Sequence, residues 1–129
     1  MNGKYLLDTN IVIALFASEP SVVDNLRIAQ SVFIPSIVIG ELYFGAYRSS
    51  QVEANLERVE EFASYAKILD CDAETAKEYG RIKNQLRQSG HPIPENDVWI
   101  SALGLQYDLV VVSRDEHFDE VAGLSVEKW

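Results

Sequence analysis

Two stretches without polar alternation, Lys4-Tyr5-Leu6-Leu7 and Leu109-Val110-Val111-Val112, restrict what this chain can fold into. A strand with one face in water alternates apolar and polar residues. A run that stays apolar suits a strand buried on both faces, as in a parallel sheet covered by helices. Each stretch then breaks into polar residues, Asp8-Thr9-Asn10 after the first and Ser113-Arg114-Asp115 after the second. Open α/β sheets bind ligands outside the carboxyl ends of their strands. Both polar breaks are therefore expected on the functional edge.

The sequence between them alternates helical and strand patterns. Helices are expected over residues 11–16 and 22–29, the second capped by Ser18 or Ser21 with Pro20 in its first turn. A strand over 31–34 ends at Pro35, and Ser36 is placed to cap a helix over 37–47. Val52, Leu56, Val59 and Ala63 line one face of the next helix, with Glu53, Glu57, Glu60 and Glu61 on the rest. A short strand over 66–69 follows. Asp72 and Thr75 then open a helix running to about Gln88, with a stripe of Ala76, Tyr79, Ile82 or Lys83, and Leu86. After the loop at 90–94, residues 98–107 are apolar almost all round and predict a buried helix. A fifth strand is expected over 124–126. With no repeat and no linker, the pattern predicts one α/β domain over residues 1–129, a five-stranded parallel sheet flanked by helices on both faces.

Composition narrows the class. The chain of 129 residues has 47% hydrophobic and 24% charged residues, ordinary values for a globular protein. Its apolar runs are too short to span a bilayer, and Met1-Asn2-Gly3 leads straight into a strand, so no signal peptide is expected and a cytoplasmic location is the default. A single cysteine, Cys71, excludes an intrachain disulfide and a cysteine-rich zinc site. The net charge of −9 is unusual for a nucleic-acid binder. It suits either plain solubility or an acidic site filled by metal ions or by a basic partner.

Four carboxylates sharpen that choice. Glu41 has Ile37, Val38, Phe44 and Gly45 as its helical neighbours, so it is expected on a buried stripe with no Lys or Arg one turn away. A buried carboxylate is costly unless something positive meets it. Asp97 opens the buried helix after Pro94-Glu95-Asn96, and Asp115 follows the fourth strand. Taken singly, Asp8, Asp97 and Asp115 also suit helix caps or first-turn positions. A parallel sheet, however, brings all three to one edge, where Glu41 would join them. Four carboxylates held together need cations, and hard divalent ions with oxygen ligands, Mg²⁺ or Mn²⁺, are the natural choice.

These stretches resemble a known family. Leu6-Leu7-Asp8-Thr9-Asn10, Gly40-Glu41-Leu42-Tyr43-Phe44-Gly45-Ala46, Asn96-Asp97-Val98-Trp99-Ile100-Ser101-Ala102 and Ser113-Arg114-Asp115-Glu116-His117-Phe118 look like the four acidic motifs of PIN-domain ribonucleases, in order and across the whole chain. Among these they are most similar to the VapC toxins of toxin–antitoxin pairs. The resemblance implies a PIN-like fold and Mg²⁺- or Mn²⁺-dependent endonucleolytic cleavage of RNA, silenced by a cognate VapB-type antitoxin. It implies Asp8, Glu41, Asp97 and Asp115 as the catalytic and metal-binding acids, with Thr9, Asn10 and Ser113 as supporting polar residues. In that reading Asp8, Asp97 and Asp115 hold a cation and Glu41 positions a water or a second ion. The partner is expected to place an Arg or Lys among the acids, and a homodimer within a larger toxin–antitoxin assembly is expected.

Other features leave alternatives. His91 and His117, in a loop and a turn, read as surface residues. Lys77, Arg81, Lys83 and Arg87 form the one clearly basic segment and, with Arg114, are candidate RNA contacts. Tyr43, Phe44 and Tyr47 crowd one helix, so some would pack in the core and the rest could meet a partner. Asp8, Asp70, Ser113 and Lys128 also mimic a phospho-accepting receiver domain, and a non-catalytic PIN-like RNA-binding module is the other rival. A receiver, though, wants a second acid where Thr9 stands.

Overall fold

A computed structural model describes residues 3–129; Met1 and Asn2, and with them the start of the leader-free reading, lie outside the described residues. Five parallel strands form one sheet in the order β3-β2-β1-β4-β5. They are β1 (Lys4–Leu7), β2 (Ser31–Pro35), β3 (Lys67–Leu69), β4 (Val110–Val112) and β5 (Val126–Glu127). β1 occupies the centre, with Leu6 opposite Phe33 of β2 and Val111 of β4. Leu6 and Leu7 point to opposite faces and are both buried, as their unalternated run requires.

Six helices fill the crossovers and flank the sheet: α1 (Thr9–Phe16), α2 (Pro20–Ile28), α3 (Ser36–Tyr47), α4 (Val52–Tyr65), α5 (Ala73–Ser89) and α6 (Glu95–Tyr107). The main core joins Leu6, Leu7, Val38, Val59, Ile100, Val111 and Phe118, and a smaller cluster of Ile82, Leu86, Val98, Ala102 and Val121 ties α5 to α6. α6 is as buried as its composition demands, and each fully buried Val, Ile or Leu contributes about 1.5–3 kcal/mol.

Several local expectations are corrected. α2 takes Glu19 as its N-cap residue, and neither Ser18 nor Ser21 caps it; Pro20 at the first helical position fixes the start instead. α3 begins at Ser36 itself, because the fixed φ of Pro35 makes that residue the boundary. On α5 the buried residue of the first turn is Thr75, which closes a capping box with Asp72, while Ala76 is exposed. β5 lies at 126–127 rather than 124–126, since its pairing is set by Val111 and Val112.

The strand order also excludes the receiver reading. Receiver folds follow 2-1-3-4-5, with the third strand beside the first. Here β2 separates β1 from β3, so Asp70 follows an edge strand two places from Asp8, and Lys128 pairs instead with Asp119 at 3.5 Å.

Candidate active site

Asp8 leaves the carboxyl end of the central strand and caps α1. Its extended backbone ends β1, and its Oδ1 accepts the Thr9 N–H at 2.8 Å. Its Oδ2 accepts the Ser113 hydroxyl at 2.7 Å from the loop after the neighbouring strand. The cap reading of Asp8 is correct, and it occupies one oxygen only; the other faces the end of the neighbouring strand. Ser113, wholly buried, also accepts the Asp115 N–H at 3.0 Å. The Asn10 amide donates to Ser113 Oγ at 3.2 Å and accepts the Arg114 N–H at 3.1 Å. A network of backbone and short polar side chains therefore locks the β1 and β4 ends to each other.

Glu41, Asp97 and Asp115 complete the set. Asp97 lies in the first turn of α6 without capping it, and Pro94 holds the N-cap position. Asp115 starts a 3-10 helix over Glu116–Glu120, accepting the His117 N–H at 3.0 Å. Glu41 is half-buried rather than on a closed stripe. Its neighbours Gly40, Phe44 and Gly45 are exposed, because that side of α3 borders an open groove instead of the core.

The electrostatics show that the acids feel one another. Burial raises the Asp8 carboxyl above the ordinary carboxylate pKa, with repulsion from Asp115 adding to it and the Ser113 and Thr9 bonds opposing it. Glu41 is raised by burial and by repulsion from Asp8 and Asp97, and lowered by Thr9 and Asn96. Asp97 is raised by burial and by Asp8 and Asp115, against the lowering contact of His117. Among the described residues no Lys or Arg ion pair reaches any of the four acids.

His117 is a surface residue, as expected, but it faces the acids. Its ring is half-exposed, yet Nδ1 lies 2.9 Å from Asp97 Oδ2 and 2.9 Å from Asp115 Oδ1. The Asp97 contact holds the imidazole pKa above its usual value. The spacing Asp115-x-His117 was the available signal: a tight turn begun by the acid returns the second residue after it toward that acid. Asn96, the residue before Asp97, lies near enough to Glu41 to lower that carboxyl's pKa.

The basic candidates fare differently. Arg114 bonds Glu19 at 2.8 Å and the Trp129 carbonyl at 2.9 Å. Arg81 pairs with Glu78, Lys83 with Glu95 and Tyr79, and Arg87 bonds Asn84. Lys77 is exposed on α5.

A divalent cation fits this donor set. Carboxylate oxygens dominate it, burial and neighbouring acids raise three of the acids in pKa, and Asp97, Asp115 and His117 offer ligand atoms within 4.8 Å of one another. Thr9 Oγ1 is buried without a partner at full hydrogen-bond geometry, although it is near enough to Glu41 to lower that carboxyl's pKa. Beside Glu41 runs an apolar groove of about 370 Å³ between α1, α3 and α4, lined by Ile13, Phe16, Leu42, Ala46, Arg58 and Val59 among others. Phe44 and Tyr47 are exposed on α3, while Tyr43 packs against the core.

The model of the PIN domain family matches residues 5–124. This chain belongs to the PIN-domain family. Ribonuclease VapC2 of Haemophilus influenzae is 36% identical to this PIN chain over 129 residues, covering 98% of each. The tRNA(fMet)-specific endonuclease VapC of Shigella flexneri is 34% identical, again over 98% of each. Among solved structures, DNA-bound VapBC from Salmonella typhimurium superposes with a TM-score of 0.90 at 30% identity, over 98% of each chain. VapBC2 from Rickettsia felis, bound to a fragment of its promoter, gives 0.89 at 29%, over 97% of this chain and 98% of that one. At these identities and coverages the PIN chain is one of the VapC ribonucleases, the family its four acidic motifs resemble.

Proposed function

We infer that this PIN chain is a metal-dependent endoribonuclease, a single catalytic domain over residues 1–129 that acts in the cytoplasm as the toxin of a type II toxin–antitoxin pair. The observation that carries this reading is the gathering of Asp8, Glu41, Asp97 and Asp115 at the carboxyl ends of the central strands, where burial and neighbouring acids raise the first three and, among the described residues, no Lys or Arg ion pair reaches any of them. A non-catalytic module would have no reason to keep such a set, since like-charged neighbours that bind nothing only destabilise the fold.

Asp8, Asp97 and Asp115 would hold Mg²⁺ or Mn²⁺. Bound there, the ion supplies positive charge against the phosphate and lowers the pKa of water. Ser113 and the Thr9 N–H fix the Asp8 carboxylate before any ligand arrives. Glu41, flanked by Thr9 and Asn96 and raised in pKa, is suited to orient an attacking water and accept its proton. Attack by water rather than by the RNA 2′-hydroxyl leaves 5′-phosphate and 3′-hydroxyl ends. RNA is the substrate, and tRNA is the first to try, because relatives are named for tRNA(fMet) cleavage.

The inhibitor would be a VapB-type antitoxin, as in the VapBC complexes of similar fold. Its apolar side chains would fill the groove beside α3, with Phe44 at the rim. An Arg, or less well a Lys, would enter the acids, because a guanidinium stays charged when desolvated and bonds carboxylates through two nitrogens. A homodimer within a larger assembly completes the expected organisation. Cleavage of tRNA with Mg²⁺ or Mn²⁺, its loss in EDTA and 5′-phosphate ends are the expected results. Full activity in excess EDTA would overturn the reading. In the partner, changing the inserted Arg to Ala should leave binding tight and restore cleavage; undiminished inhibition, with no other cation reaching the acids, rejects that insertion.

A further inference from the structure

We propose that His117 is itself a metal ligand, so that the site presents nitrogen as well as oxygen and favours a divalent transition-metal ion over Mg²⁺. The inference rests on the metal-site reading above and extends it to a residue outside the four acids. Three observations carry it.

The first is anchoring. Phe118, the next residue, is wholly buried, and Asp115 Oδ1 accepts the His117 N–H, so the turn is fixed on both sides of the histidine. The second is aim. Although the ring borders solvent, its Nδ1 turns inward and meets Asp97 and Asp115 rather than water. The third is spacing. Neighbouring donors of an octahedral ion with bonds of about 2.1 Å stand about 3 Å apart. The two separations from Nδ1 are both 2.9 Å.

A single N–H can point well at only one oxygen, and only the Asp97 contact has hydrogen-bond geometry. With Asp115 equally near, three donor atoms converge, and a divalent cation held by them would replace the imidazole proton at Nδ1. Imidazole is a strong ligand for transition metals, whereas Mg²⁺ selects oxygen, which is why the site should discriminate between them.

The test uses the whole protein and Mn²⁺ as the probe, because free and bound Mn²⁺ differ in their paramagnetic resonance spectra. Wild type should show nitrogen coupling to bound Mn²⁺ in pulsed spectra. His117→Ala should lose that coupling and bind Mn²⁺ about tenfold or more weakly, a typical cost at a metal site, while Mg²⁺ affinity, read by competition, changes much less. His117→Gln, which returns an oxygen, should hold Mg²⁺ about as tightly as wild type does, without the nitrogen signal. Absence of nitrogen coupling in the wild type overturns the proposal. So does tighter Mn²⁺ binding by His117→Ala, which would make the imidazole a competitor of the ion. Asp8→Asn separates the two readings: if it binds Mn²⁺ as well as wild type, the acidic site itself is wrong, whatever His117 does.

Discussion

At the scale of single residues, the site is held by short polar side chains that contact one another more than they contact solvent. Ser113 is the junction, donating to Asp8 while accepting from Asn10 and from the Asp115 backbone. Ser113→Ala should cost about 1–3 kcal/mol, because it leaves buried partners unsatisfied; denaturant melts measure this, and a neutral result would show that water replaces the hydroxyl. Asp8→Asn should behave oppositely. Asn still caps a helix and removes one of four repelling charges, so cleavage should vanish while the metal-free melting temperature stays level or rises. Unfolding of that variant would make Asp8 a purely structural cap. The gathering of the four acids was legible in the sequence because Asp8 and Asp115 follow apolar strands, Asp97 opens an apolar helix and Glu41 interrupts one. His117 was not, since its role depends on how a 3-10 turn folds back. Nor was the pairing of the basic side chains: sequence proximity gives Arg81 its Glu78, but only the packing of α5 on α6 brings Lys83 to Glu95.

Among the elements, β1 was read at its exact bounds, because its unalternated run stops abruptly at Asp8, whereas α6 begins at Glu95, three residues before the apolar stretch that announces it. The ends of elements were harder. Ser36 and Ser21 have the chemistry of caps, yet proline geometry one residue before each decided the boundary. β5 was displaced because a two-residue edge strand carries little pattern and takes its register from β4. The close approach of α6 to the sheet depends on Gly104. A Cβ there would stand 2.9 Å from Val111 Cγ2 and 2.9 Å from Leu124 Cδ1. Leu124 can yield at its tip, whereas Val111 is fixed in the central sheet. Gly104→Ala gains helix propensity of about 1 kcal/mol but overpacks the interface by about 1–3 kcal/mol. A net loss of about 1 kcal/mol is expected in denaturant melts, and a stabilised variant would show that α6 can shift outward freely.

For the molecule as a whole, the clustered acids predict an unusual pH dependence. Asp8, Glu41 and Asp97 all have raised pKa values in the fold. The native state therefore keeps protons that the unfolded chain has already released. Their contribution is fully present below the unfolded carboxylate pKa, about 4, and is lost as pH rises through the raised folded values. In EDTA, wild type should lose stability relative to Asp8→Asn as pH rises from the unfolded carboxylate value of about 4 through the raised folded values, and saturating Mn²⁺ should abolish the difference. Parallel melting curves for the two proteins in EDTA would show that the acids do not interact. The placement of the site has one more consequence, which concerns how the protein is made. Asp8 bonds Ser113 across 105 positions of chain, and Asp97 and Asp115 both lie in the last third. The groove assigned to the inhibitor is lined by residues between Ile13 and Val59. A ribosome reading from the amino terminus thus delivers the docking surface before it delivers half of the acids, and the order of synthesis favours the inhibitor over the nuclease.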